Sequence, residues 1–139
     1  MKFKYSSFLP PKPYQRWIKR PIVQIEIYGP GGSQKFDALV DSGADCSLFN
    51  TQVAEIIGID LSKAAAVTFM GINGGEGMSA LFVESVEMRV NGIDGKVKIP
   101  VGFIDNDAVG LLLGQEGFFD KHRIKFEKDH GVFEVTRVI

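Results

Sequence analysis

Sixteen glycines cut this 139-residue chain into short runs, and those runs limit what it can fold into. The longest wholly apolar stretches are a few residues, so nothing approaches the roughly 18–20 that a membrane-spanning helix needs. What lies between the glycines alternates. Val23, Gln24, Ile25, Glu26 and Ile27 run apolar, polar, apolar, polar, apolar, the period of a half-buried strand. With eleven phenylalanines, the pattern predicts an all-β domain of many short strands joined by tight turns, with one or two short helices.

Residues 22–27 form the first expected strand and 28–33 a Gly/Pro turn. A second strand, 36–40, ends at Asp41-Ser42-Gly43-Ala44. Asn50 or Thr51 caps a short helix through Val53, Ile56 and Ile57, closed by Gly58. Residues 67–70 and 80–83 flank a glycine-rich tip at 71–77 and read as a hairpin. Residues 86–90 and 96–104 pair across Asn91-Gly92 and Asp94-Gly95. The almost wholly apolar run 109–113 stops at Gly114, and a short helix follows within 116–121. Residues 124–126 and 132–135 make a last hairpin, with His122 and His130 expected in turns or at the surface. The chain contains no internal repeat.

Charge divides the chain. Lys2, Lys4, Lys12, Arg16, Lys19 and Arg20 give the first 25 residues +6 with no acid, and the remainder carries −7. Residues 1–19, with Pro10, Pro11 and Pro13, read as an extended basic N-terminal arm, because proline forbids a regular helix there. Residues 20–139 read as one domain. The net charge of −1 provides no general attraction for nucleic acid. A single cysteine, Cys46, excludes an internal disulfide. The N-terminus lacks the apolar stretch of a signal peptide, and its prolines argue against the helix of a mitochondrial presequence. A soluble, cytoplasmic protein with no membrane partner is expected.

The chemistry concentrates at one place. The apolar run Ala38-Leu39-Val40 delivers Asp41 into a turn, placing a carboxylate at the edge of a core. An ionisable group there costs free energy unless it is hydrogen-bonded or has a task. Gly43 lets the backbone fold back and donate to it. Asp-Ser-Gly is also common turn chemistry, and alone it says little. Other site classes lack their parts. Two histidines and one cysteine make no metal cluster, no Gly-x-Ser-x-Gly elbow is present, and the glycine runs lack the Gly-Lys-Ser/Thr ending of a phosphate loop. No histidine lies near Cys46 to activate it as a nucleophile.

Taken in order, Arg20 with the strand at 22–27, Asp41-Ser42-Gly43, the glycine-tipped hairpin and Leu112-Leu113-Gly114 resemble the retropepsin family. These are single-lobe aspartic proteases that include retroviral proteases. The resemblance covers residues 20–126 and implies a small closed β-barrel with a flap hairpin. It matches Asp41 to the catalytic aspartate, Ser42 to a hydroxyl that bonds across a dimer axis, and Gly43 to the donor that supports the carboxylate, with Ala44 completing the loop. It matches Gly71, Ile72, Asn73, Gly74 and Gly75 to the flap over substrate, and Leu112, Leu113 and Gly114 to the segment under the active-site loop. One aspartate per chain implies a homodimer, in which Arg20 reaches Asp45 of the partner subunit. Gln115 and Cys46 depart from the family pattern: many retroviral members carry arginine at the first position and a polar residue at the second.

The implied activity is that of an aspartic endopeptidase acting on extended peptide or unfolded protein, with neither metal nor cofactor. The alternative is a retropepsin-fold dimerisation or peptide-binding module without proteolysis.

Overall fold

The computed structural model describes residues 1–9, 16–69, 78–106 and 110–138. Strands β1 (Lys2–Lys4), β2 (Ser6–Phe8), β3 (Ile18–Arg20), β4 (Ile22–Gly29) and β5 (Gly32–Val40) lead to the Asp41 loop. Next come β6 (Ser47–Asn50), α1 (Thr51–Ile57), β7 (Ala65–Phe69), β8 (Met78–Val90) and β9 (Val97–Ile104). Then follow β10 (Leu112–Leu113), α2 (Phe118–Lys121), β11 (His122–Glu127), a 3₁₀ turn at Lys128–His130 and β12 (Val132–Arg137). The expected flap tip, including Gly71, Ile72, Asn73, Gly74 and Gly75, lies outside the described residues, as do Val109 and Pro10, Pro11 and Pro13.

Alternation in β4 builds the core: Val23, Ile25 and Ile27 are buried and Gln24 is exposed. β4 pairs antiparallel with β5 on one side and with β8 on the other. The pairings β4–β5–β10–β6–β9–β8 return to β4, so six strands close into a barrel, with β7 added outside on β8. Closure removes free strand edges. Two contacts of the ring are parallel, β5 with β10 and β6 with β9. Phe49, Met88, Ile99, Val101 and Phe103 pack inside, each at most 1% exposed.

Helix α1 forms where its caps lie. The Asn50 side chain accepts from the Gln52 N–H at 2.9 Å. Gly58 takes the left-handed conformation at φ 79° and returns its N–H to the Ala54 carbonyl. Val53, Ala54 and Ile57 face inward. One correction concerns residues 80–90, which the sequence divides into two strands. They are one strand, because a bulge between Val83 and Val86 absorbs one extra residue against β9 and pairing continues beyond it.

The N-terminal segment is drawn onto the domain at its start. β1 pairs with β12, Phe3 opposite Phe133, in a three-stranded sheet with β11. The Phe3 and Phe133 rings stack at 5.5 Å, and Tyr5 meets Phe133 edge-on at 5.6 Å. Lys2 and Lys4 alternate outward, so aromatic burial holds the strand while the charges stay in water. β2 and β3 form a separate two-stranded ribbon, and the boundary drawn after residue 19 falls inside β3. No helix among the described residues is long and apolar enough to cross a membrane.

His122 is a second correction. It is buried, 3% exposed, with its ring stacked on Phe118 at 4.5 Å and Nδ1 2.9 Å from the Phe118 carbonyl. A carbonyl only accepts, so Nδ1 carries the proton and donates. Burial pushes its pKa below the usual histidine value; the Phe118 carbonyl opposes this in part, and nearby Arg137 and Lys121 add smaller pushes downward. The unfolded chain then binds a proton that the folded chain refuses. Stability is complete above the unfolded value, about 6.5, and is lost as pH falls below it toward the folded value. The melting temperature is therefore expected to drop between pH 7 and pH 5, with a shallower drop in His122→Gln. Equal slopes for the two proteins would show that His122 does not set this loss. His130 is exposed, as expected.

Candidate active site

Strand β5 ends by burying Ala38 and Val40, which turns Asp41 toward the opposite face, half-buried. The next residues fold back on it. The Gly43 N–H donates to Asp41 Oδ1 at 2.9 Å, and the Ala44 N–H donates to the Asp41 carbonyl at 3.2 Å. Ser42, Gly43 and Asp45 are exposed, and Ala44 and Cys46 are half-buried. The carboxylate thus sits at the root of an open loop with one oxygen held by a backbone donor.

Leu112, Leu113 and Gly114 lie directly against this loop. Leu112 pairs with Leu39 on one side and Leu48 on the other. The Asp41 N–H donates to the Leu113 carbonyl at 2.9 Å. Gly114 packs so closely that an added Cβ would stand 2.4 Å from the Cys46 carbonyl oxygen and 2.8 Å from that of Ala44. Its φ is not in the left-handed region, so glycine is required here for space.

Two side chains that sequence reasoning did not assign complete the support. Ser47 is fully buried, and its Oγ accepts from the Gly114 N–H at 3.0 Å. The available signal was a serine alternating with Phe49 on the inward side of β6. Gln115, noted only as a departure, donates from Nε2 to the Ser42 carbonyl at 2.7 Å and from its backbone N–H to the Ala44 carbonyl at 2.8 Å. Within this chain it ties the loop down directly.

Arg20 and Asp45 are not brought together inside one chain: both are exposed, and the Arg20 guanidinium lies over the Phe8 ring, 5.8 Å from its centre. Burial and the Glu116 and Asp45 carboxylates push the Cys46 thiol up. It therefore stays protonated and makes a poor nucleophile. No group of three or more metal-ligating side chains exists among the described residues.

The arrangement can hold one carboxylate, fixed by a short loop, in front of open space. The comparison with known proteins agrees with that chemistry. A family model described as aspartyl protease matches residues 23–116, from the first buried position of β4 to the residues just beyond Gly114. No curated protein shows a significant match to the sequence. With a closed all-β barrel, an Asp-Ser-Gly loop at its rim and the family match over most of its length, the chain belongs to the aspartyl proteases, in their single-lobe, retropepsin-like form.

Proposed function

We propose that the chain is an aspartic endopeptidase that works as a symmetric homodimer and cuts extended peptide or unfolded protein. The supporting observation is Asp41 itself: one carboxylate per chain, half-buried, held by the Gly43 N–H at 2.9 Å on an otherwise exposed loop. In an isologous dimer the two loops meet across the axis. Two carboxylates about 3 Å apart cannot both ionise cheaply, so the pair keeps one proton. The ionised member takes a proton from a water, whose oxygen attacks the peptide carbonyl carbon. The protonated member gives its proton to the carbonyl oxygen. Collapse of that intermediate breaks the C–N bond as the carboxyl that took the water's proton passes it to the leaving amine. Ser42 bonds across the axis, and Arg20 pairs with Asp45 of the partner subunit.

Substrate binds as an added strand. β7 has β8 on one side and no other strand beside it among the described residues, and such an edge reads peptide backbone before side chains.

The dimer reading has a direct test. A monomer carries half a dyad and is inert, and dimer fraction falls on dilution by mass action. With an unfolded protein as substrate at weakly acid pH, specific activity is expected to fall with enzyme concentration in step with the dimer fraction seen by sedimentation. Constant specific activity at concentrations where only monomer sediments would defeat the shared dyad.

A further inference from the structure

A cavity of about 360 Å³ opens beside the Asp41 strand, between the barrel and the β2–β3 ribbon. Its floor is set by strand periodicity. Side chains two apart share a face, so Asp37, Leu39 and Asp41 project to one side of β5 while Ala38 and Val40 fill the core. Leu39 pairs with Ile22 on β4 and with Leu112 on β10. The result is an apolar row, Ile22–Leu39–Leu112, across three strands on the face of Asp41. Each member is only half-buried, although apolar residues in such a row gain by being covered. At about 3.4 Å per residue along the strand, the row stands about 7 Å from Asp41, within the reach of a side chain next to a scissile bond.

One wall of this cavity comes from outside the barrel. Phe8, 43% exposed, lines it together with Arg20. Ser6 pairs with Arg20 and Phe8 with Ile18, so Phe8 and Arg20 are diagonal neighbours across the ribbon. Their contact at 5.8 Å is within cation–π range. Among the described residues the ribbon has no third strand, and two-stranded ribbons are marginal by themselves. The position of the wall therefore depends on the Phe8–Arg20 contact.

We propose that Phe8 is a specificity-determining wall of a pocket for a large apolar side chain of the peptide, so that the N-terminal ribbon takes part in choosing what is cut. The proposal rests on the reading of Asp41 as the peptide-cleaving centre, and the occupant follows from continuity: an extended peptide crossing Asp41 lays a side chain over the Ile22–Leu39–Leu112 row. Arg20 is a positioning residue for the Phe8 ring.

The test measures selectivity of binding, so it does not depend on turnover. The full chain carrying Asp41→Asn is combined with Phe8, Phe8→Ala or Phe8→Trp. It is titrated, above its dimer constant, with labelled valine- and serine-rich octapeptides that differ at one central position, Ala, Leu, Phe or Trp. Removing the wall is expected to raise the Trp-to-Leu affinity ratio about tenfold and filling it to lower the ratio, since small volume changes in an apolar pocket are worth that much. Loss of folding moves all peptides together and cannot give opposite shifts in the two variants. The same ratio in all three proteins overturns the proposal, as does absence of peptide binding by all three. An altered dimer constant with unchanged selectivity assigns the ribbon to subunit contact and also overturns it. Proteolysis by the wild-type chain is scored separately: cleavage without the selectivity shift leaves the protease reading standing, and a shift without cleavage leaves the pocket standing.

Discussion

Asp41→Asn abolishes peptide-bond hydrolysis while the fold survives. Asparagine keeps an oxygen for the Gly43 N–H, which donates to Oδ1 at 2.9 Å, so the loop retains its bond. What it loses is the ability to take or give a proton. General acid–base groups each contribute roughly 10²–10⁴-fold in rate, and in a symmetric dimer one substitution removes both partners of the dyad. A loss of about 10⁴-fold or more is expected, read as new peptides from an unfolded protein, with melting temperature and sedimentation unchanged. Mixing extends the result. When a fixed amount of wild-type chain is equilibrated with a ninefold excess of the variant, most wild-type chains pair with an inert partner. Activity should then fall about tenfold. Cleavage by the variant at a rate near wild type would remove Asp41 from the mechanism, and unchanged activity in the mixture would remove the dimer.

Gly114→Ala is expected to be the most damaging small substitution near the site. The added methyl group would stand 2.4 Å from the carbonyl oxygen of Cys46, 2.5 Å from its carbonyl carbon and 2.8 Å from the carbonyl oxygen of Ala44. These are backbone atoms of the active-site loop, with no flexible side chain to move aside. Relief requires β10 and the loop to separate. That strains the Gln115 N–H to Ala44 bond at 2.8 Å, the Asp41 N–H to Leu113 bond at 2.9 Å, and the Gly114 N–H to Ser47 Oγ bond at 3.0 Å. Overpacking of this kind costs about 3 kcal/mol, a fall of roughly 10 °C in melting temperature. Activity should fall further than stability, because displacement of a reacting group by about 1 Å can cost about 100-fold. Gly110→Ala is the control: its added Cβ meets nothing within 4 Å. A Gly114→Ala protein melting within about 2 °C of wild type would show that the loop can yield.

Local features were legible from the chain alone. The alternation at residues 23–27 identified the inward face of β4, Asn50 or Thr51 and Gly58 bracketed α1, and the apolar run before Asp41 placed that carboxylate at a strand end. Each of these is encoded within a few residues, by side-chain period, capping chemistry or a turn. The closed β-barrel of aspartic-protease type was what the resemblance to the retropepsin family, carried by the order of such features, implied. Tertiary structure decided the rest. β1 reads as a basic arm because Lys2 and Lys4 dominate its composition, yet Phe3 finds Phe133 at the far end of the chain. His122 looks like a turn residue until Phe118 covers it. The 13 residues of β8 stay one strand only because β9 lies along them and tolerates a bulge. Ser47 and Gly114 meet because β6 and β10 are neighbours in the ring, and Gln115 reaches Ser42 because β10 also lies beside β5, from whose end the loop starts. Alternation says which face of a strand is apolar but not which strand will lie beside it. That choice is made when every apolar face and every backbone N–H must be satisfied at once, and only the closed barrel satisfies them together.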